Sequence, residues 1–437
     1  MRPRSRSLTG TIDGADYRVE MPERWNCTLV VYSHGYYPEG VFGPDYVIGL
    51  ANRTETEDWL LAHGYALAAS DFQGRYGAVY EQGVRDQLAL LDWIGENIGT
   101  PHRTVALGSS SGGSMSVMMA ERYPSLFDGA ASVGAPLDVN GQWNLLLDLM
   151  FTIKTLLELP GDEIELVRPT DPEASFTALN NAVGAALASP QGMAKLALAN
   201  AVADTPAWNS AIEPEPTDWV SRVIAQAEID FGVIFAFGPV SRVDLEERAG
   251  GNPSWNVGIV YRRQLDRSSQ RALVEEAYAA AGLDLDADLA DLADAPRVAP
   301  DPAALFWLYR YGVPWGTTPT PVITPHNTFD WVPSEQERWY AGQVDRFGHP
   351  DRLRQLYTGR ATHCAFTAAE EIMTLKALFN RIDTGEWPNL EPHRLNRGAA
   401  RLGGPYQAVY DFPTDQDHIV TPAFTTFTPS EFLRPSL

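Results

Sequence analysis

The stretch Ala106–Ser116, ALGSSSGGSMS, decides how this chain is read. An apolar, β-prone run, Thr104-Val105-Ala106-Leu107, feeds into Gly108-Ser109-Ser110-Ser111-Gly112, and a helical pattern follows it. A serine with glycine two residues to either side fits a strand-to-helix turn too tight for side chains at the flanking positions. Such a turn holds the central residue in a strained conformation and lifts its hydroxyl above the sheet. Of the three serines, Ser110 has the required spacing. Met115, Met118 and Met119 then recur at helical spacing, and Tyr123-Pro124 ends the helix, so strand, turn and helix come in the order the pattern needs.

Upstream, Thr9–Val19 alternates polar and apolar residues around Asp13-Gly14, the signal of a hairpin. Cys27–Ser33, CTLVVYS, and Tyr65–Ser70 are continuous apolar runs of the sort that form strands buried on both faces. Helices are expected over Glu55–His63 and Tyr80–Asn97, and a strand over Ala130–Val133. Strand and helix alternate, which predicts a mostly parallel central sheet with helices on both faces.

At Leu137 the alternation stops. From there to residue 319 the sequence offers helices only: Trp143–Leu159 with Pro160-Gly161 as its stop, Ala178–Ala203, Val220–Phe237, Ser269–Gly282 and Ala303–Tyr311. A helical insertion of this size reads as a cap, because linkers are polar and structureless. Alternation resumes with a strand over Thr320–Thr324, then the segment His326-Asn327-Thr328-Phe329-Asp330 and a helix over Ser334–Phe347. A short strand, Arg354–Tyr357, precedes the loop holding His363 and a helix over Thr367–Thr384. Core (1–136 and 320–388), cap (137–319) and an irregular C-terminal extension packed on the core (389–437) are the expected parts.

The chain has 437 residues, 44% of them hydrophobic, and 12 tryptophans, which is ample for a large core. A formal charge of −23 disfavours nucleic acid and anionic membrane surfaces as partners. Two cysteines, Cys27 and Cys364, make neither a disulfide framework nor a Cys-rich zinc site, and no metal or other cofactor is expected. The basic N-terminus has no apolar segment behind it and no run is long enough to span a membrane. A soluble, cytoplasmic protein is the expectation, with a secreted mature form left open, and nothing specifies an oligomeric state.

A serine hydroxyl needs a histidine to take its proton and a carboxylate to hold that histidine's tautomer. Ser110, Asp330 and His363 occur in the chain order Ser, acid, His, each beyond a predicted strand. On these residues the chain resembles an α/β-hydrolase with a lid inserted after the strand following the elbow. It is similar in particular to bacterial serine esterases and prolyl-oligopeptidase-type catalytic domains. The resemblance covers residues 1–136 and 320–385. It implies Ser110 as nucleophile, His363 as base and Asp330, in TFDWVP, as acid; Asp138 is the alternative acid, and His326 and His349 compete for the base. It also implies an oxyanion hole from the backbone N–H groups of Tyr36 and Ser111, with His34 structural. Tyr37, Trp143, Met150, Phe151 and Trp331 are candidate substrate contacts. The function implied is a serine hydrolase (a carboxylic ester hydrolase) cleaving an ester, lactone or thioester of a bulky apolar or aromatic small molecule. A non-hydrolytic cyclase or lyase on the same fold, or a silent binding protein, is the alternative.

Overall fold

The computed structural model describes residues 5–41, 43, 46–159 and 164–436. The chain forms two compact units, one of Met1–Leu137 with Tyr311–Pro429 and the other of Asp138–Arg310 with Ser430–Leu437.

The first unit is built on β1 (Ser5–Ile12), β2 (Ala15–Pro22), β3 (Thr28–Ser33), β4 (Ala66–Ser70), β5 (Arg103–Ser109), β6 (Gly129–Val133), β7 (Val322–Phe329) and β8 (Leu353–Ala361). Further along the chain come β9 (Ala408–Asp411), β10 (Gln416–Ile419) and β11 (Phe424–Thr425). The large sheet has the order β1-β2-β4-β3-β5-β6-β7-β8-β11. Pairing is parallel from β4 across to β8 and antiparallel at both ends, where β1 and β2 form the hairpin and β11 joins β8. This is the α/β-hydrolase fold. Every residue of β3, β4 and β6 is buried, as their apolar runs require.

The helix Ser111–Arg122, which carries the elbow, is buried along nearly all its length. Its far end is anchored by Glu121, whose carboxylate accepts the backbone N–H groups of Trp315 and Gly316, both at 2.7 Å, and the Tyr340 hydroxyl at 2.9 Å. Burial still pushes the Glu121 carboxyl above its ordinary range, although these donors oppose the shift.

Several boundaries differ from expectation. The strand after the insertion runs on to Phe329, so His326 is a strand residue paired with Tyr357 rather than part of a loop. The last parallel strand likewise covers Leu353–Ala361, longer than Arg354–Tyr357. The C-terminal extension is not irregular. It contains the helix Pro392–Ala400, the β9–β10 hairpin and β11, and its final segment, Ser430–Leu437, belongs to the second unit. Pairing partners remote in sequence impose this order, and no local periodicity announces it.

The second unit is helical, with no strand among its described residues. The stretch Ala178–Ala203 is two helices, Pro172–Ala186 and Pro190–Ala203. The break is chemical: Pro190 is a good first helical residue and a poor interior one, and the Ser189 hydroxyl caps the new helix by accepting the Gly192 N–H at 3.1 Å. Pro160-Gly161 and the Phe235 side chain lie outside the described residues. At the centre of the unit, the fully buried Asp148 carboxylate accepts the Tyr261 hydroxyl at 2.8 Å and Gln264 Nε2 at 2.9 Å, and pairs with the Arg434 guanidinium from the chain's end. Among the described residues, no single helix is long and apolar enough to cross a membrane.

Candidate active site

Ser110 stands between β5 and the helix Ser111–Arg122 with φ 53° and ψ −133°, a conformation few side chains adopt. Of the three adjacent serines, it alone has a positive φ. Its N–H donates to Val133 O at 2.8 Å, and its carbonyl accepts the Gly113 N–H at 2.9 Å. The glycines around it are there for space. A Cβ on Gly108 would run into the Gly112 backbone, and one on Gly112 into the carbonyl oxygens of Ser33 and His34. Gly112→Ala is expected to cost at least ~3 kcal/mol of unfolding free energy, read from denaturant titration, because rigid backbone on both sides cannot yield.

Asp330 follows β7 directly and is buried. Its Oδ1 accepts His363 Nδ1–H at 2.8 Å and the Val332 N–H at 2.9 Å, and its Oδ2 accepts the Cys364 N–H at 3.4 Å. His363, two residues past β8, turns its Nε2 to Ser110 Oγ at 2.8 Å. The three side chains, expected together from chain order, are thus hydrogen-bonded in series. Burial disfavours the His363 imidazolium, but the adjacent Asp330 carboxylate overrides that and holds the imidazole well above the ordinary histidine range.

The loop bearing His363 is pinned from several directions that no motif revealed. Thr362 and Cys364, on either side of it, have φ 70° and 52°. Asn327 Nδ2 donates to Thr362 O at 2.7 Å. Just beyond, Arg360 and Glu370 form a buried ion pair at 2.8 Å. Glu370 also closes the capping box of the helix Ala368–Thr384 with Thr367. That Thr367-x-x-Glu370 spacing was the one legible sign of this support.

The segment after β3 reaches the same place. A Cβ on Gly35 would lie 2.9 Å from Ser110 Cβ, so only glycine lets this backbone pass so close to the serine. That brings Tyr36 beside the elbow, where Ser111 opens the helix. His34 is buried, donates through Nδ1 to Gly35 O at 2.7 Å, and stacks on Tyr37 with ring centroids 4.2 Å apart. Burial brings His34 down to about 4, so its imidazole is neutral and serves as a brace for this turn.

The remaining candidates fall as follows. Trp331 meets the His363 ring edge-on at 5.3 Å. Trp143, Met150 and Phe151 are buried on the helix Val139–Leu156 of the second unit. There Trp143 contacts Phe237 edge-on at 5.6 Å, and Phe151 stacks on Tyr261 at 5.6 Å. Asp138 caps that helix, accepting the Gly141 N–H at 2.8 Å and the Ser436 N–H at 2.7 Å. His326 lies beneath Asp330. Both cysteines are thiols. Among the described residues, no group of three or more His, Cys, Asp or Glu side chains is placed to hold a metal ion.

Residues 39–227 match the Esterase family model, described as "Putative esterase". The chain is 28% identical over 417 residues to the o-phthalyl amidase of Xanthobacter agilis, covering 88% of each. Among solved structures it aligns with the Pyrococcus horikoshii acylaminoacyl peptidase at 10% identity and TM-score 0.35, over 83% of this chain and 38% of that one. It also aligns with a Pyrococcus furiosus esterase at 11% identity and TM-score 0.36, over 83% and 82% of the two chains. The chain therefore spans less than half the length of the peptidase.

Proposed function

We propose that this α/β-hydrolase, a hydrolase by its likeness to esterases and an amidase, opens carboxylic ester and amide bonds through an acyl-enzyme on Ser110. The observation that carries the reading is the unbroken series from Ser110 Oγ to His363 Nε2 and from His363 Nδ1 to Asp330 Oδ1, 2.8 Å at each step. His363 takes the Ser110 proton as the hydroxyl adds to the carbonyl, and returns it to the departing alkoxide or amine. The tetrahedral oxyanion is met by the N–H groups of Tyr36 and Ser111. Water, activated by the same imidazole, then frees the acid. Asp330 keeps Nδ1 protonated, so that Nε2 presents its lone pair to the serine.

The substrate class is a small molecule with an aromatic or other bulky apolar acyl group, with Tyr37 and Trp331 as aromatic walls in the first unit. The amidase relative, alignable over most of both chains, is what adds amides to the ester reading. The test is fluorophosphonate labelling followed by a panel of p-nitrophenyl esters of rising chain length beside aryl esters, lactones and the anilides of aromatic acids. Labelling at Ser110 with faster turnover of aryl than acetyl substrates is the expected result. A protein that takes no label would be a binding protein or a non-hydrolytic relative, and the reading would fall.

A further inference from the structure

Beneath Asp330 lies a second set of charges that the mechanism above does not use. His326 is fully buried on β7. Its Nε2–H donates to Val332 O at 2.9 Å, and the same nitrogen is 3.8 Å from Asp330 Oδ2. On its other side Nδ1 lies 3.3 Å from Glu337 Oε1, from the helix Glu335–Arg346. Glu337 is also buried, and its Oε2 accepts Thr324 Oγ1–H and Gln355 Nε2–H, both at 2.5 Å.

The proton count follows from these partners. Two donors sit on one Glu337 oxygen, and the other oxygen faces His326 Nδ1. A neutral imidazole with its proton on Nε2 would turn a lone pair toward that carboxylate, which is repulsive. An imidazolium removes the conflict and meets a carboxylate on each side, at ion-pair spacing rather than in aligned hydrogen bonds. Burial works against the charge, but Glu337 and Asp330 outweigh it and raise His326 above its ordinary value. On β8, Tyr357 is the residue paired with His326, and burial pushes its hydroxyl far up and leaves it neutral.

We propose that His326, held as an imidazolium by Glu337, is a positioning residue of this site that fixes the Asp330 turn and tempers the pull of Asp330 on His363. The inference rests on the Ser110–His363–Asp330 reading. Val332 is held on both sides of its Cα, its N–H by Asp330 and its C=O by His326, which fixes the turn that carries the carboxylate. Charge does the rest. A carboxylate alone beside His363 would keep it protonated to high pH, and a protonated imidazole cannot accept the serine proton. A cation 3.8 Å away on the far side of that carboxylate offsets part of the pull and leaves the base usable nearer neutrality.

The pH dependence of fluorophosphonate labelling at Ser110 tests this without a known substrate. His326→Gln keeps an N–H for Val332 O and drops the charge. Its acidic limb is expected to move to higher pH by about half to one unit. A limb that does not move overturns the proposal, whatever happens to the alkaline plateau. If His326→Gln does not fold, ¹⁵N NMR of the histidine rings in the unchanged protein decides the matter. Both His326 nitrogens are expected to carry protons at pH 8, and a neutral ring overturns the proposal. If the unchanged protein takes no label at Ser110, the Ser–His–Asp reading fails and this inference fails with it; labelling with an unmoved limb removes this inference alone.

Discussion

Ser110→Ala is expected to abolish covalent labelling and to lower turnover by about 10⁶-fold, and His363→Ala to cost about the same, because nucleophile and base act as a unit. At 1.36 kcal/mol per decade the loss is about 8 kcal/mol of barrier, far beyond what a packing change at one hydroxyl oxygen could produce. The fold should be untouched, since the turn is held by its glycines and by the Val133 and Gly113 hydrogen bonds, none of which uses the hydroxyl. An internal check comes from the backbone. Ser110→Gly removes a Cβ from a positive-φ position, so it should be more stable than Ser110→Ala by about 1 kcal/mol while being equally inactive. Labelling that survives in Ser110→Ala and disappears in Ser109→Ala or Ser111→Ala would move the nucleophile to another serine.

The second large effect concerns the acid. Asp330→Asn should lower turnover by about 10⁴-fold, roughly 5.5 kcal/mol. The amide can still accept at Oδ1, but its NH₂ competes for the same ring face, and the imidazole loses its preference for the productive tautomer. The sign of the pH response is fixed by the charge removed. The Asp330 carboxylate raises His363, so its loss lets the acidic limb fall toward the ordinary histidine range. That is opposite to the direction expected for His326→Gln, so the two effects cannot be confused in a pH profile. Asp138→Asn should instead leave the rate alone and weaken the helix it caps. If Asp138→Asn proves the more damaging to turnover, the acid is misassigned.

What the sequence disclosed was whatever depends on neighbours along the chain. The elbow was legible because glycines at 108 and 112 answer a local steric demand, and the parallel strands because apolar runs buried on both faces need no partner to be recognised. Asp330 and His363 could be picked out by chain order and by their place after predicted strands. The supports beneath them could not. His326 read as a competing base because nothing beside it in sequence shows that Glu337, eleven residues on, lies against it in the fold. Nothing near Arg360 in sequence points to Glu370, ten residues on, as its buried ion-pair partner. The broken helix at Pro190 is a different kind of miss: the alanine-rich pattern carries through the break, and only the Ser189-Pro190 pair marks it.

The segment Ser430–Leu437 adds a constraint on when the helical unit can finish folding. Arg434 pairs with the buried Asp148, and Ser436 donates to the buried Asp138, yet these partners are separated by almost three hundred residues of synthesis. Domains commonly fold as they leave the ribosome, at roughly 5–20 residues per second. The helical unit here cannot complete that way: until Arg434 has been made, Asp148 has no cation to meet it, and a buried carboxylate without one is costly. The order of translation therefore makes this unit the last to close, after every strand of the sheet has been made.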